Sequence, residues 1–504
     1  MAMQIIRGGR LLDARAHTAE PRDILIDGDT IREIGQPGMK APDGAKVIDG
    51  TDTLMHAGLI NSHTHGHSNL SKSAGDRWTL ELLLAAGPWI SGDRTPEDKY
   101  LTTIIGAAEM ILKGCTAVYD LFIEFPTPSV DGLESVGRAY ADAGMRAVVT
   151  AAVMDKTLYE AMPGLIEAMP EAAQSQVRGM KLAPAEASLA CMRDVLHKWP
   201  LDRGQVRPAI APSIPIHCTE EFLLGCKRLA DEFGCGVHSH VHESKVQAVV
   251  GKDRWGTTAT SHLDKLGLLS PRFTVAHGVW LDEEDMRRLA GNGSHVAHNP
   301  GSNMLLGNGI ARVKRMRELG VNVGIGTDSA TCSDNLNMYG SMHLASLASK
   351  VLGPDTRRWL ETAEVFEFAT EGSARLLGFE RIGRLAEGYK ADVVFLDLNH
   401  PNWIPFNDPT NQMIHVEDGT SVRDVMVGGK FVVKDRKLLT VDLADLRRKA
   451  QAALERLAKT THRNKTLFDK IAPIVDSVCP TLARRPYHID RFAMPGFNEG
   501  RYTD

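Results

Sequence analysis

The sequence predicts a (β/α)8 barrel, the TIM-barrel architecture of the α/β class, carrying a small composite β-sandwich built from both ends of the chain. Three observations lead there. Through the middle of the 504 residues, eight short apolar runs alternate with longer amphipathic segments, as repeated βα units around a closed parallel sheet require. Both ends hold short alternating segments broken by Gly, Asp and Pro, the texture of small antiparallel strands and tight turns. Histidine clusters fall where the predicted barrel strands end.

Taken in order, residues 3–57 contain IIRGGRLLD, DILIDGDTIREIG and AKVIDGTDTLMHAG, all strand-like. The eight apolar runs then follow at 59–65, 116–122, 146–153, 206–212, 236–241, 273–278, 294–298 and 321–328. Helix starts are legible at Thr95 with Pro96 behind it, at Thr219 before EEFLLGCKRL, and at Asp282 before EEDMRRLAG, because Ser, Thr or Asp caps free N–H groups and Pro tolerates the first helical position. Strand texture returns in GRLAEGYKADVVFLDL (383–398) and VRDVMVGGKFVVKDRKLL (422–439). Neither end has enough strands to be stable alone, so the two are expected to pair. This divides the chain into a composite sandwich of 1–58 plus 383–440, a barrel over 59–382, and a C-terminal helix and tail over 441–504. An open doubly wound sheet competes with the barrel, but no glycine-rich phosphate loop follows any early strand.

Hydrophobic residues at 43% and charged residues at 24% are the balance of a globular chain with a large core. The formal net charge of −5 and the lack of a Lys/Arg run argue against a nucleic-acid partner. No apolar run is long enough to span a bilayer, and the opening MAMQIIRGGRLLD has no basic segment leading into an apolar core. The seven cysteines are widely scattered with no CxxC pair, so they are read as reduced thiols in a cytoplasmic protein.

The chemistry concentrates in histidine. Four HxH pairs occur, two within His63, His65 and His67 and two within His238, His240 and His242. Residues two apart on a strand share a face, so His63 and His65 aim together into the barrel mouth, as a divalent metal requires of two imidazoles. A single histidine would be read as a satisfied polar side chain in the barrel interior; paired clusters at strand ends point to a metal. A carboxylate is needed to offset the ion's charge, and Asp328, ending GIGTDSA, is the natural donor.

The stretches NSHTHGH (61–67), EMILKGCTAVYD (109–120), HSHVHE (238–243), VAHGVWL (275–281), VAHNPGSNMLLGNGIA (296–311) and VGIGTDSA (323–330) together resemble the amidohydrolase superfamily. Within it they resemble the mononuclear branch of cytosine, guanine and S-adenosylhomocysteine deaminases and triazine hydrolases. The resemblance implies that His63, His65, His240 and Asp328 hold one metal ion, His240 being chosen because the ligand of the family's HxxE motif lies three before the Glu. Zinc is the expected ion, with ferrous iron the alternative. Other branches place a carboxylated lysine on the fourth strand to bridge two ions, and VRPAIAPS has no lysine.

A bound ion of this kind brings a water molecule's pKa toward neutrality. Glu243, three residues beyond His240, is placed to move protons between that water, a ring nitrogen and the leaving group; the alternative is a surface carboxylate opening the next helix. By resemblance His277 hydrogen-bonds the attacking oxygen, and Asp328 takes part in proton transfer as well as binding. For substrate contacts the expectations are His67, Asn69, Trp78, Trp89, Ser213, His217 and Asn303. Trp89 matches a family tryptophan covering the pocket, although packing explains either Trp equally well. Ser213 stands where the family often has a histidine, with His217 four residues later, and Asn303 is expected to shape the loop after the seventh strand. The implied reaction is hydrolytic deamination of a small nitrogen heterocycle by a homodimer or larger homo-oligomer. The alternatives are hydrolysis of an amide, urea, carbamate or aryl-halide bond by the same activated water and, more remotely, a non-catalytic barrel kept as a scaffold.

Overall fold

The computed structural model describes residues 3–332 and 335–493; the end of the predicted tail, 494–504, lies outside the described residues. Eight parallel strands form the barrel: Leu59–Thr64, Cys115–Phe122, Arg146–Val153, a fourth in two pieces (Val206–Pro208 and Ala211–Pro212), Val237–Val241, Phe273–His277, His295–His298 and Asn322–Ile325. They pair consecutively within two half-barrels, and parallel bridges from Thr64 to Asp328 and from Ile210 to Val237 close the ring. Along the second strand, Ala117, Tyr119 and Leu121 join one apolar cluster while Val118 and Phe122 join another. That division is the two-residue period of a strand with apolar surroundings on both sides.

The fourth run differs from the single strand expected over 206–212. Pro208 and Pro212 have no N–H to give a ladder. Between them the chain changes partner: Ala209 N–H donates to Val149 O at 3.0 Å and Ile210 N–H to Gly236 O at 3.0 Å. The eighth strand ends at Ile325, short of 328, and Asp328 beyond it takes a left-handed backbone with φ 61°.

The three expected helix starts are present. Thr95 and Asp98 cap each other reciprocally ahead of Pro96–Leu112, Thr219 Oγ1 accepts from Phe222 N–H, and Asp282 and Asp285 form a second reciprocal cap. Both flanks contribute to one nine-stranded sheet, in which Thr53–Ala57 pairs antiparallel with Val393–Asp397. Its apolar face gathers Ile6, Ile24, Ile26, Met55, Val393 and Phe395. Of the segment 383–398 only the last part is strand; residues before it turn through Gly383 and Gly388 at positive φ, a conformation glycine adopts without steric cost.

The C-terminal region holds two helices, Leu443–Thr460 and His462–Ala483, where the sequence reading identified one. Pro473 and Pro480 lie inside the second. An apolar stripe of Leu467, Phe468, Ile471, Val475, Cys479 and Leu482 packs beside the helix Leu80–Ser91. Burial of that stripe outweighs the two lost backbone bonds. Among the described residues no helix is long and apolar enough to cross a membrane.

Candidate metal centre and active site

His63 lies at the end of the first strand and His65 directly follows it, His240 lies near the end of the fifth, His277 ends the sixth, and Asp328 follows the eighth. All are buried. The ligand atoms of His63, His65 and His240 lie within 4.8 Å of one another, as do those of His63, His277 and Asp328. His277 and Asp328 both have left-handed backbones, φ 71° and 61°. Such non-glycine strain, of order 1–2 kcal/mol per residue, concentrates at functional sites. The eighth strand approaches the first closely: a Cβ on Gly326 would sit 2.9 Å from His63 Cβ and 2.8 Å from His63 O, so only glycine fits.

The hydrogen bonds fix the imidazole tautomers. His65 Nδ1 donates to Leu121 O at 2.5 Å and His240 Nδ1 donates to Ser213 O at 2.7 Å. Each therefore turns an Nε2 lone pair toward the other, and these atoms are 3.1 Å apart. Two lone pairs at that distance repel unless a cation lies against both. Asp328 Oδ1 is 3.3 Å from His65 Nε2 and 3.5 Å from His63 Nε2, and both His63 nitrogens are buried without a hydrogen-bond partner. Burial holds the His63 imidazole down to about 3 and His240 well below the ordinary value, so both are neutral, lone-pair donors at working pH. Three imidazoles and one carboxylate fit a zinc-type ion. Asp328 is itself oriented by Ser302 Oγ at 2.6 Å and Ser329 N–H at 2.8 Å.

Glu243 is 1% exposed, which removes the surface-carboxylate alternative. Its Oε2 accepts from Gln247 Nε2 and its Oε1 from Asn308 Nδ2, both at 3.4 Å. Burial, reinforced by the negative charges of Asp328 and Glu81, pushes its carboxyl well above the usual range. His277 Nε2 lies 3.7 Å from Glu243 Oε1 and 3.7 Å from Asp328 Oδ2. With His277 Nδ1 donating to Asn303 Oδ1 at 2.9 Å, Nε2 is the free base, and burial lowers its proton affinity.

A cavity of about 70 Å3 opens over this cluster, lined by His65, His67, Ser213, His240, Glu243 and Asp328 below and by an aliphatic wall from Leu80–Ser91 above. Of the expected substrate residues, His67 and Ser213 line it. Asn69, Trp78, Trp89, His217 and Asn303 do not. Asn69 packs on the helix Pro96–Leu112 at Gly106 and donates to Gly66 O. Trp78 and Trp89 pack around Phe468 of the second C-terminal helix, Trp78 edge-on and Trp89 tilted, ring centroids 5.5 and 5.6 Å away. His217 is buried, with burial and the nearby Arg254 holding it down to about 3. Asn303 touches His277 instead.

Residues with no role assigned from the sequence also shape the site. Asp120 accepts from Gly66 N–H at 2.8 Å and from Tyr140 Oη at 2.9 Å, pinning the turn after His65. Asn61 and Thr327 exchange hydrogen bonds of 2.8 and 3.1 Å across the seam of the first and eighth strands. Ser302 and Asn308 lie in NPGSNMLLGNG, where polar residues inside an apolar stretch were the available signal.

Comparison with known proteins fits this geometry. The sequence model of the amidohydrolase family matches residues 54–432. The chain belongs to the amidohydrolase family. It is 32% identical over 442 residues to a 5-methylthioadenosine/S-adenosylhomocysteine deaminase of Desulfitobacterium hafniense, covering 87% of this chain and 94% of that one. A 5'-deoxyadenosine deaminase of Methanosarcina mazei is 30% identical over 461 residues, covering 91% and 99%. Among solved structures, a zinc-bound adenosine deaminase from Xanthomonas campestris superposes with TM-score 0.80 at 25% identity, covering 91% and 99%. An atrazine chlorohydrolase from Arthrobacter aurescens complexed with zinc gives 0.79 at 25%, covering 89% and 99%. This amidohydrolase is a metal-dependent hydrolase of C–N bonds.

Proposed function

We propose that this amidohydrolase deaminates a small nitrogen heterocycle, with one zinc ion held by His63, His65, His240 and Asp328. The observation carrying the reading is the buried Glu243 carboxyl, disposed to keep a proton, beside the convergent Nε2 atoms of His65 and His240. When bound, the ion acidifies a water molecule and so supplies a nucleophile near neutral pH. Glu243 gives its proton to the ring nitrogen next to the attacked carbon, and Gln247 and Asn308 hold the carboxylate that remains. His277 Nε2, fixed by Asn303, receives the proton lost by the attacking oxygen. That proton then passes to the exocyclic nitrogen and ammonia departs, while the second proton of the attacking oxygen returns to Glu243, leaving the ring carbonyl and restoring the carboxyl. The two solved zinc-bound neighbours support zinc as the ion. Seven free cysteines fit a cytoplasmic location; homo-oligomer formation is carried over from the family resemblance.

The chlorohydrolase neighbour favours one alternative, displacement of a ring halide through the same groups. Metal analysis with ammonia and chloride release across pterins, purines, pyrimidines and triazines separates the two: ammonia alone is expected, and chloride alone would replace the proposal with the alternative. Glu243→Gln keeps the hydrogen-bonding shape and removes the proton. It is expected to lower kcat by about 10²–10⁴-fold with metal content unchanged. Full turnover in that variant would remove Glu243 from the mechanism.

A further inference from the structure

The cavity over the metal centre is chemically two-faced. Its floor carries the imidazoles, Glu243 and Asp328, whereas its roof is Leu80, Leu83, Leu84 and Ile90 of one helix, joined by Phe125 and Ile214. Among the described residues, no charged side chain lies on that roof. Two charged residues in and just after the roof helix are committed elsewhere: Glu81 accepts from Ser244 Oγ at 2.9 Å, and Arg94 donates to Ile90 O at 2.7 Å and to His67 O. Ser329 Oγ pairs with Thr331 Oγ1 at 2.7 Å. Hydroxyls reach the cavity from Ser213, Ser329, Thr331 and Ser91, but within the roof helix Leu80–Ser91 only Ser91 carries one, buried without a hydrogen-bond partner, so the roof offers one polar contact and not a cluster.

We infer that the side of the substrate facing away from the metal is bare or aliphatic: the site takes a compact aminated heterocycle bearing hydrogen or short alkyl groups and discriminates against the same ring bearing a sugar. This rests on the aminohydrolase reading above and departs from the adenosine-derived substrates named for its relatives. A sugar hydroxyl pressed against leucine loses its water and gains no partner, which weakens binding by about tenfold to a hundredfold per group. A buried methylene gains about fourfold. Size acts in the same direction. The cavity of about 70 Å3 is about half the roughly 150 Å3 of an apolar cavity that binds benzene, so even a bare ring must press lining side chains aside, and a sugar-bearing ring must displace more of them.

The test uses the zinc-loaded enzyme with matched ligands on one ring: adenine, 9-ethyladenine, 5'-deoxyadenosine and adenosine, and a triazine series with amino, ethylamino and hydroxyalkylamino substituents. Ammonia release gives kcat/KM, and calorimetry gives Kd independently of turnover. The ethyl compound of each series is expected to bind at least tenfold more tightly than its hydroxylated counterpart, with a Kd at least tenfold lower, and to have a kcat/KM at least tenfold higher. Leu84→Asn, which brings an amide to the roof, is expected to narrow that gap at least fivefold; should the variant misfold, the wild-type comparison decides alone. Equal or tighter binding of the sugar-bearing ligands overturns the inference. If no compound releases ammonia, the deaminase reading falls, while the Kd order still supports or overturns the aliphatic roof. Failure of every ligand to bind removes both.

Discussion

Asn308 shows how much of the site depends on a single side chain. Its side-chain amide donates to Glu243 Oε1, while its backbone carbonyl accepts from Trp280 Nε1 at 2.8 Å. Trp280 in turn packs against Phe492, and Ile310 N–H donates to Arg491 O at 2.9 Å. The C-terminal segment around 487–492 thereby braces the loop that orients the proposed proton donor. Asn308→Ala is expected to lower kcat by about 10–100-fold, the range for partners that orient reactive groups, while metal content stays constant. An unchanged kcat would show that Gln247 alone suffices to hold Glu243.

At the scale of single elements, the helix Glu283–Gly291 carries a titrating cap. Asp285 caps Asp282 reciprocally and accepts from Thr258 Oγ1, and its carboxyl is pushed up to about 7 by burial and then by the charge of Asp282. A raised folded-state pKa means the unfolded chain gives up this proton first. The contribution is therefore complete below about 4 and is lost as pH rises toward 7. Asp285→Asn, which does not titrate, is expected to lessen the fall in stability between pH 4 and 8 by up to about 4 kcal/mol. Parallel denaturation curves at both pH values check this; identical pH slopes for the two proteins would show that Asp285 ionises normally in the fold. The paired C-terminal helices make a different contribution. Through Phe468 they take up Trp78 and Trp89 as packing surface, so the aromatic residues expected over the substrate instead support the helix that forms its roof.

Across the whole molecule, barrel and flanking sheet are joined through a buried ion pair. Arg146, at the start of the third strand, contacts Asp392, which also accepts from Gly428 N–H at 2.7 Å. Their side chains are 9% and 3% exposed, so breaking the pair leaves a charge in a poorly solvated place. Asp392→Ala is expected to cost about 3–5 kcal/mol, measured by urea denaturation. A loss below about 1 kcal/mol would mean that water reaches Arg146 and that apolar contacts alone hold the two parts together.

The barrel, its strand order and the positions of His63, His65 and Asp328 were legible in the sequence because each depends on local rules. Period-two alternation, capping chemistry and a histidine pair on one strand face operate within a few residues, and a parallel barrel repeats them until closure is the only way to satisfy every edge. His240 needed the family resemblance, since all three histidines of 238–242 fit the local pattern. Tertiary packing alone decided that His217, Trp78 and Trp89 stay out of the cavity, that Asn303 holds His277, and that an aliphatic helix roofs the metal centre. Those outcomes turn on contacts between residues dozens to hundreds of positions apart, such as Trp89 with Phe468 and Glu243 with Asn308. Such contacts leave no periodic trace along the chain, because they are set by which surfaces can be buried together.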